Sequence, residues 1–600
     1  MAKYTFVHLR DNVDMERVPD QLRAVCASLT PRSIRGECHH IVQEWPFRPR
    51  TWLAVQNAPD RPLLTDGEDL VIGRILGEES RPDPTSDGSY AIVQIDDDAV
   101  RFYTDQFGSR TLWYYIDERM LVVSTSQRAV VQIKGSFNLN REALSWFLSS
   151  GCQGPFMSWD ADVKQAEPRL EYAFDSSRWS LQVREKQGLS LPASSTERFE
   201  HYIKQYEAYA AAALSQIFEQ ERSAGPVLLP LSGGLDSRLL LSLAQEQGAA
   251  DRVDLVNWGV PSTAETFDDK AAAKRVADSH EKPLLDAYLP EVPHDLDDVL
   301  DRFVEASEGR IDHFNAYTDA FEMWDGFYRA GYRAVVRGDI PFTEGVDIGE
   351  ASARAHIGLS AFSDYANLAD YDLGDLPSLQ RPIEIRQQER ESLVRWRDRL
   401  YVSWRVPMVI SSFANLISGH VECHSPMMSW RLFVDYCRLP DRDKGDKKHI
   451  EALARAHDQS GVPFDATPAL LPISNSFDHQ EGLTYMRNYL AERCDPSIFP
   501  APLIHSVLSS IRIRFNRHVT PHHKVNRKKY LKLIISKCIP SIIKGLLKAR
   551  LSRRLSPLTL GYRLIIADKT VRMYRFAAAD RLATGSKKVG TVPPLKKTPL

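Results

Sequence analysis

Cysteine is scarce in this 600-residue chain: seven positions, an odd number, with no CxxC spacing. That argues against a disulfide framework or a cysteine-built metal cluster, so the thiols at 26, 38, 152, 423, 437, 494 and 538 read as reduced and mostly buried. Long apolar runs are missing too. No stretch reaches the roughly 20 residues of a membrane helix, and Met1-Ala2-Lys3-Tyr4-Thr5 leads into a strand-like pattern rather than a secretory signal. A cytoplasmic location is the expectation. Acidic charge is lacking only locally. The chain carries 76 Lys and Arg against 79 Asp and Glu, yet positions 511 to 560 hold fourteen basic residues and no acidic one. The rest, 43% hydrophobic and 26% charged, is ordinary globular composition, and the length predicts two or three domains.

The most informative stretch runs from Leu228 to Leu240. Val227 to Leu231 is a short apolar run suited to a buried parallel strand, and Arg238 to Gln247 has the apolar spacing of a helix. Between them lies Ser232-Gly233-Gly234-Leu235-Asp236-Ser237. Two glycines and the N–H groups of a helix start make a concave anion site, with hydroxyls for phosphate oxygens and a carboxylate for a metal. The spacing is not that of a Walker loop, which has four residues between its glycines and then Lys-Ser/Thr.

Upstream, to about residue 190, short β-like runs alternate with turn signals: Thr51 to Val55, Leu70 to Ile75, Tyr90 to Ile95, Val100 to Thr104, Leu112 to Ile116 and Leu121 to Ser124. A sheet-rich α+β domain is predicted. Downstream of the loop, Val253 to Gly259 and Leu284 to Leu289 read as strands, with a helix over Asp268 to Ser279 between them. This rhythm predicts an α/β doubly wound parallel sheet with ligand at the carboxyl ends of its strands. Ala330 to Phe342 reads as a further strand ending in a polar loop.

The loop resembles the Ser-Gly-Gly-x-Asp-Ser pyrophosphate loop of the ATP pyrophosphatases. Asp66-Gly67-Glu68, Asp87-Gly88-Ser89-Tyr90-Ala91, Asp105 to Tyr115 and Ser124-Thr125-Ser126-Gln127-Arg128-Ala129 are similar to segments of the class II glutaminase domain of asparagine synthetases. The resemblance implies an Ntn-hydrolase-like sandwich over 1–190 and an ATP pyrophosphatase (adenine nucleotide α-hydrolase-like) domain over 195–500, while residue types alone give a basic amphipathic helical extension with a disordered tail over 501–600. It implies ATP and Mg²⁺ as cofactors. Leu231, Ser232, Gly233, Gly234, Leu235, Asp236 and Ser237 would hold pyrophosphate, with Gly338 from a second loop, and Asp236 and Asp339 the metal. Val256, Gly259 and Asp269 match the nucleotide site, although a carboxylate at Asp269 also suits a helix start. Lys448, with Lys447 next, matches the lysine that offsets charge in adenylation. Glu344, Asp347 and Glu350 are candidates for the base.

One departure decides the functional expectation. The family's glutaminase uses an N-terminal cysteine exposed at position 2, and here position 2 is Ala, while Asp66 replaces an Asn that helps hold an oxyanion. The first domain therefore reads as a degenerate glutaminase kept as scaffold. The resemblance then implies an AMP-forming carbon–nitrogen ligase acting on a small-molecule or peptide carboxylate with an amine other than glutamine-derived ammonia, as in lasso-peptide cyclases and β-lactam synthetases. Asparagine synthesis, ammonia-dependent amidation of a sugar acid and a non-catalytic scaffold stay as alternatives. The basic stretch, read as two amphipathic helices divided at Pro540, suits a membrane surface or an acidic partner better than nucleic acid, or simply caps the domain.

Overall fold

The structure is a computed structural model. It describes residues 3–11, 16–45, 48–58, 64–65, 69–76, 81–96, 99–192, 197–222, 225–259, 269–288, 295–314, 320–342, 365–377, 386–464, 476–517 and 555–583. The chain is mixed α/β, with three sheets and many helices.

The first two sheets are six-stranded and antiparallel. In one, Lys3–Leu9 lies between Met120–Ser124 and Thr51–Gln56. In the other, Asp87–Ile95 lies between Asp69–Leu76 and Ala99–Thr104. Alternation along Lys3–Leu9 explains the layering. Tyr4 and Phe6 join Leu53, Leu70, Val93 and Phe102 in a core shared by both sheets, while Val7 and Leu9 meet Leu22 and Val25 of the helix Val18–Leu29 and Val130 of the helix Gln127–Lys134. All six strands expected in this region occur, shifted at their ends by one to three residues.

The third sheet is parallel and five-stranded, in the order Leu284–Tyr288, Val253–Gly259, Val227–Pro230, Ala334–Val336, Glu422–His424. Both faces are covered: Leu228 packs on one side, Val227 and Leu229 on the other, which is why these strands read as unbroken apolar runs. Val227–Pro230 comes first in the chain and lies in the middle, so strand order reverses beside it. That reversal opens a crevice at the carboxyl ends of the strands.

A 27-residue helix, Pro557–Ala583, closes the chain's described part. Leu560, Leu564, Ile565, Ile566, Ala567, Val571 and Tyr574 are fully buried. It lies against Gln127–Lys134 and Arg141–Ser150 of the first unit and Leu296–Ser307 of the second. Arg563 donates to Asp312 Oδ2 (2.6 Å) and to the carbonyl of Ser149 (2.7 Å), and Lys569 Nζ to Asp297 Oδ1 (2.7 Å). Gly309 has φ 70°, and a β-carbon there would come within 2.3 Å of Thr570. Within the stretch read as a basic extension, this helix is part of the core. The segment around Pro540 and the tail after 583 lie outside the described residues. Among the described residues no helix is long and apolar enough to cross a membrane.

Candidate functional site

The Ser232–Ser237 loop sits at the strand-order reversal. Leu231 extends the register of Val227–Pro230, its N–H donating to the Val256 carbonyl (2.8 Å), and Asn257 Nδ2 donates to the Leu231 carbonyl (2.7 Å). Both Leu231 and Val256 side chains are buried. Gly259 ends the strand Val253–Gly259. The loop then folds on itself. Ser232 N–H donates to Ser237 Oγ (3.0 Å), and Gly234 N–H to Ser232 Oγ (3.1 Å). Gly234 is the N-cap of the helix Leu235–Glu246, with extended backbone, and the N–H groups of that first turn have no carbonyl partners within the helix.

Asp269 does something the sequence reading did not assign it. Opening the helix Asp269–Ser279, it accepts the Gly233 N–H through Oδ1 at 2.7 Å. It is a strut between two strand ends, which fixes one glycine of the loop in place.

Asp339 arrives from the loop after Ala334–Val336, the strand next to Val227–Pro230. It accepts from Arg337 Nη2 (3.1 Å) and Ser425 Oγ (3.0 Å). Between these loops, Gly338 presses on Asp236: a β-carbon at 338 would stand 2.6 Å from Asp236 Cβ. The two carboxylates expected to share a metal are thus brought together by a glycine that leaves room for one of them.

The two candidate lysines separate. Lys447 has φ 54°, in the left-handed region, and its Nζ lies 2.5 Å from Asp236 Oδ2. Lys448 opens the helix Lys448–His457 and donates instead to the Arg442 carbonyl (2.7 Å) at the surface. The structure brings Lys447, rather than the Lys448 preferred from the sequence, to Asp236: the left-handed turn at Asp446 and Lys447 swings 447 inward and leaves 448 outside. Asp236, Asp339, Lys447 and Arg337 are each 22–28% exposed, open enough for a ligand to reach.

The walls are aromatic. Tyr206 and Tyr401 have hydroxyls raised by burial, with Asp236 adding to the first and Asp339 to the second. His449 is pushed down to about 3 by burial and by Lys447. It is ringed by Tyr202, Tyr206 and Phe342 at 4.7–5.4 Å. His424 meets Glu221 (3.0 Å), while Ser425 beside it faces Asp339. Arg337, Ser425, Tyr206 and Tyr401 were not singled out from the sequence. Two-residue alternation along Glu422–His424 would have put Ser425 on the Cys423 side, where Asp339 lies. Glu344, Asp347 and Glu350 lie outside the described residues, as do Ala2 and Asp66 to Glu68.

Residues 211–311 match a family model described as asparagine synthase. Over that segment the chain is similar to an asparagine synthetase-related family. That family forms amides at the expense of ATP, and the matched segment contains the loop, Val256, Gly259 and Asp269. It ends before Gly338, Asp339 and Lys447, which join the site through the fold alone. A comparison with curated proteins gave no match.

Proposed function

We propose that the chain is an AMP-forming ligase that activates a carboxylate with ATP and joins it to an amine other than glutamine-derived ammonia. The observation that carries this reading is the convergence of Asp236, Asp339 and Lys447 beside the Ser232–Ser237 loop. The first unit is then a degenerate Ntn-hydrolase-like glutaminase and the parallel-sheet unit an ATP pyrophosphatase.

Two carboxylates on separate loops, each now neutralised by a cationic side chain, would suit a magnesium ion, which needs few protein ligands. Among the described residues no group of three or more His, Cys, Asp and Glu offers a fuller cage. When bound, the ion supplies neutralisation of the departing pyrophosphate. Asp236 and Asp339 would hold it. Leu235 and the rest of the first helical turn direct N–H groups at phosphate, while Ser232 and Ser237 keep the loop closed. Lys447, released from Asp236, offsets charge where a substrate carboxylate oxygen attacks the α-phosphate and the bond to the β-phosphate breaks. The amine nitrogen then attacks the acyl carbon, AMP leaves with the bonding pair, and the amine gives up a proton.

Nothing favours glutamine as donor. Position 2 is Ala, and Lys3 beside it is buried in an ion pair with Glu308 of the second unit (3.0 Å). Burial pushes the Cys26 thiol up to about 12 and raises Cys38, so neither supplies a thiolate. Exchange of labelled pyrophosphate into ATP, driven by a panel of carboxylates and abolished in Asp236→Ala, is the expected result. Efficient glutamine-dependent amidation would overturn the choice of amine, and no exchange with any carboxylate would leave a non-catalytic scaffold.

A further inference from the structure

The segment 105–115 has no catalytic use in a silent glutaminase, yet its loop is tightly built. Buried Asp105 accepts the N–H groups of Phe107 (2.9 Å) and Ser109 (3.1 Å) through Oδ1, and Ser109 Oγ (2.8 Å) through Oδ2. Gly108 has φ 62°, and a β-carbon there would stand 2.5 Å from Pro168 and 3.1 Å from Pro407 of the second unit. Two side chains of this loop reach across to that unit. Phe107, fully buried, meets Trp430 and Phe433 edge-on, with ring centroids 5.3 and 5.9 Å away. Arg110 Nη2 donates to Glu422 Oε1 (2.7 Å) and to the Cys423 carbonyl (2.6 Å), and both side chains of this ion pair are buried.

A second grip lies a little further along the same stretch. Asp87, which opens the strand Asp87–Ile95, accepts the Trp430 N–H through Oδ1 (2.8 Å) and Ser429 Oγ through Oδ2 (2.5 Å). The first unit thus supplies a carboxylate to the start of the helix Trp430–Cys437, where it also suits the helix dipole. Between the two grips the chain touches the loop of Asp339 at two points. Ser425 Oγ donates to Asp339 Oδ2 (3.0 Å), and Met427 Cε would lie 3.5 Å from a β-carbon at Gly338. Arg337 N–H, where that loop begins, donates to the His424 carbonyl (2.8 Å).

We infer that the first unit is a clamp on the synthetase site: Arg110 and Asp87 are positioning residues that hold residues 422–430 so that Ser425 stays on Asp339. What the site binds rests on the ligase reading; the clamp itself touches no substrate. Glu422–His424 is a three-residue strand at the edge of its sheet, paired only to Ala334–Val336. So short a ladder fixes its register weakly, and a slip of one residue would turn Ser425 away from Asp339. Arg110 pins the strand by its backbone and Asp87 pins the residues that follow it.

Calorimetry with Mg²⁺-pyrophosphate on the full chain tests this by a double-mutant cycle. Arg110→Ala and Ser425→Ala should each weaken binding about tenfold, and the double variant should stay near tenfold instead of reaching about a hundredfold, because the arginine acts through the serine. Arg110→Lys, which keeps the charge, restores part of the affinity. Asp87→Asn, close in shape to the parent, shows the same non-additivity with Ser425→Ala and serves if Arg110→Ala folds poorly. Arg563→Ala breaks another buried ion pair and lowers the melting temperature while leaving pyrophosphate affinity unchanged; an equal loss of affinity there would make the effect one of stability and overturn the clamp. Multiplying losses in the cycle, or full affinity in both Arg110→Ala and Asp87→Asn, also overturn it. A parent that binds no Mg²⁺-pyrophosphate overturns site and clamp together, whereas a parent that binds it without carboxylate-dependent exchange overturns the ligase reading and leaves the clamp standing.

Discussion

Adding one methyl group at Gly338 is expected to disable the proposed metal site while leaving the fold standing. A β-carbon there would lie 2.6 Å from Asp236 Cβ and 3.4 Å from the Asp236 carbonyl carbon. Carbon atoms rest about 3.5 Å or more apart, so one loop must retreat by about 1 Å. The obstacle is the root of a side chain fixed to the first turn of Leu235–Glu246, not the free end of a flexible one. Gly338 is not in the left-handed region, so the whole penalty is this contact. Overpacking of this kind costs ~1–3 kcal/mol of stability. Misplacing a reacting group by about 1 Å costs on the order of 10²-fold in rate. Gly326→Ala is the matched control. Gly326 lies within the helix Ala320–Arg329, exposed, with nothing within 4 Å of an added β-carbon, and the same change there is worth ~0.5–1 kcal/mol of added stability. Calorimetry with Mg²⁺-pyrophosphate and thermal unfolding read both effects. Gly338→Ala should bind pyrophosphate at least ~10-fold more weakly (about 1.4 kcal/mol), and Gly326→Ala should bind it normally and melt higher. Undiminished affinity in Gly338→Ala would refute the pairing of the two loops as a metal site.

Three further outcomes are expected. Lys447→Ala should slow carboxylate-dependent pyrophosphate exchange by ~10²–10³-fold, with Lys448→Ala within about twofold; the reverse order would restore Lys448 to the site. His449 has a folded pKa of about 3, far below an unfolded histidine, so its contribution is fully present above about pH 6.5 and is lost as pH falls from there toward 3. Between pH 7 and 5 this is about 2 kcal/mol, and urea unfolding of His449→Phe should show a correspondingly flatter acid limb; an unchanged limb would exclude His449 as its source. Arg563→Ala leaves Asp312 buried opposite an empty space and should cost ~3–5 kcal/mol in denaturant unfolding, whereas a peripheral helix would tolerate the change.

The pyrophosphate-type loop and the parallel sheet were legible because strand, turn and helix are local patterns, each visible within about ten residues. The antiparallel strands of the first unit were legible for the same reason. The short strand Glu422–His424 was not, since three residues show no period. Lys447 and Lys448 are chemically identical. Only the left-handed backbone at Asp446 and Lys447 distinguishes them, and Gly445 was the one local hint of a tight turn there. Ser425 meets Asp339 through the order of strands in the sheet, which no window of sequence contains, whereas Arg337 stands only two residues from it. Pro557–Ala583 escaped because buried residues occur all around it, erasing the one-sided pattern that marks a surface helix.

That last helix imposes an order on the birth of the molecule. Gln132 and Asp580, hydrogen-bonded in the finished protein, stand 448 positions apart. At a synthesis rate of 5–20 residues per second, the early partner waits ~20–90 s for the late one. From the time each is made, the faces of Gln127–Lys134, Arg141–Ser150 and Leu296–Ser307 that will receive the helix are open to water and to other nascent chains. Docking of this helix is therefore a late closing step, and a ribosome that stops short of Pro557 leaves those receiving faces uncovered.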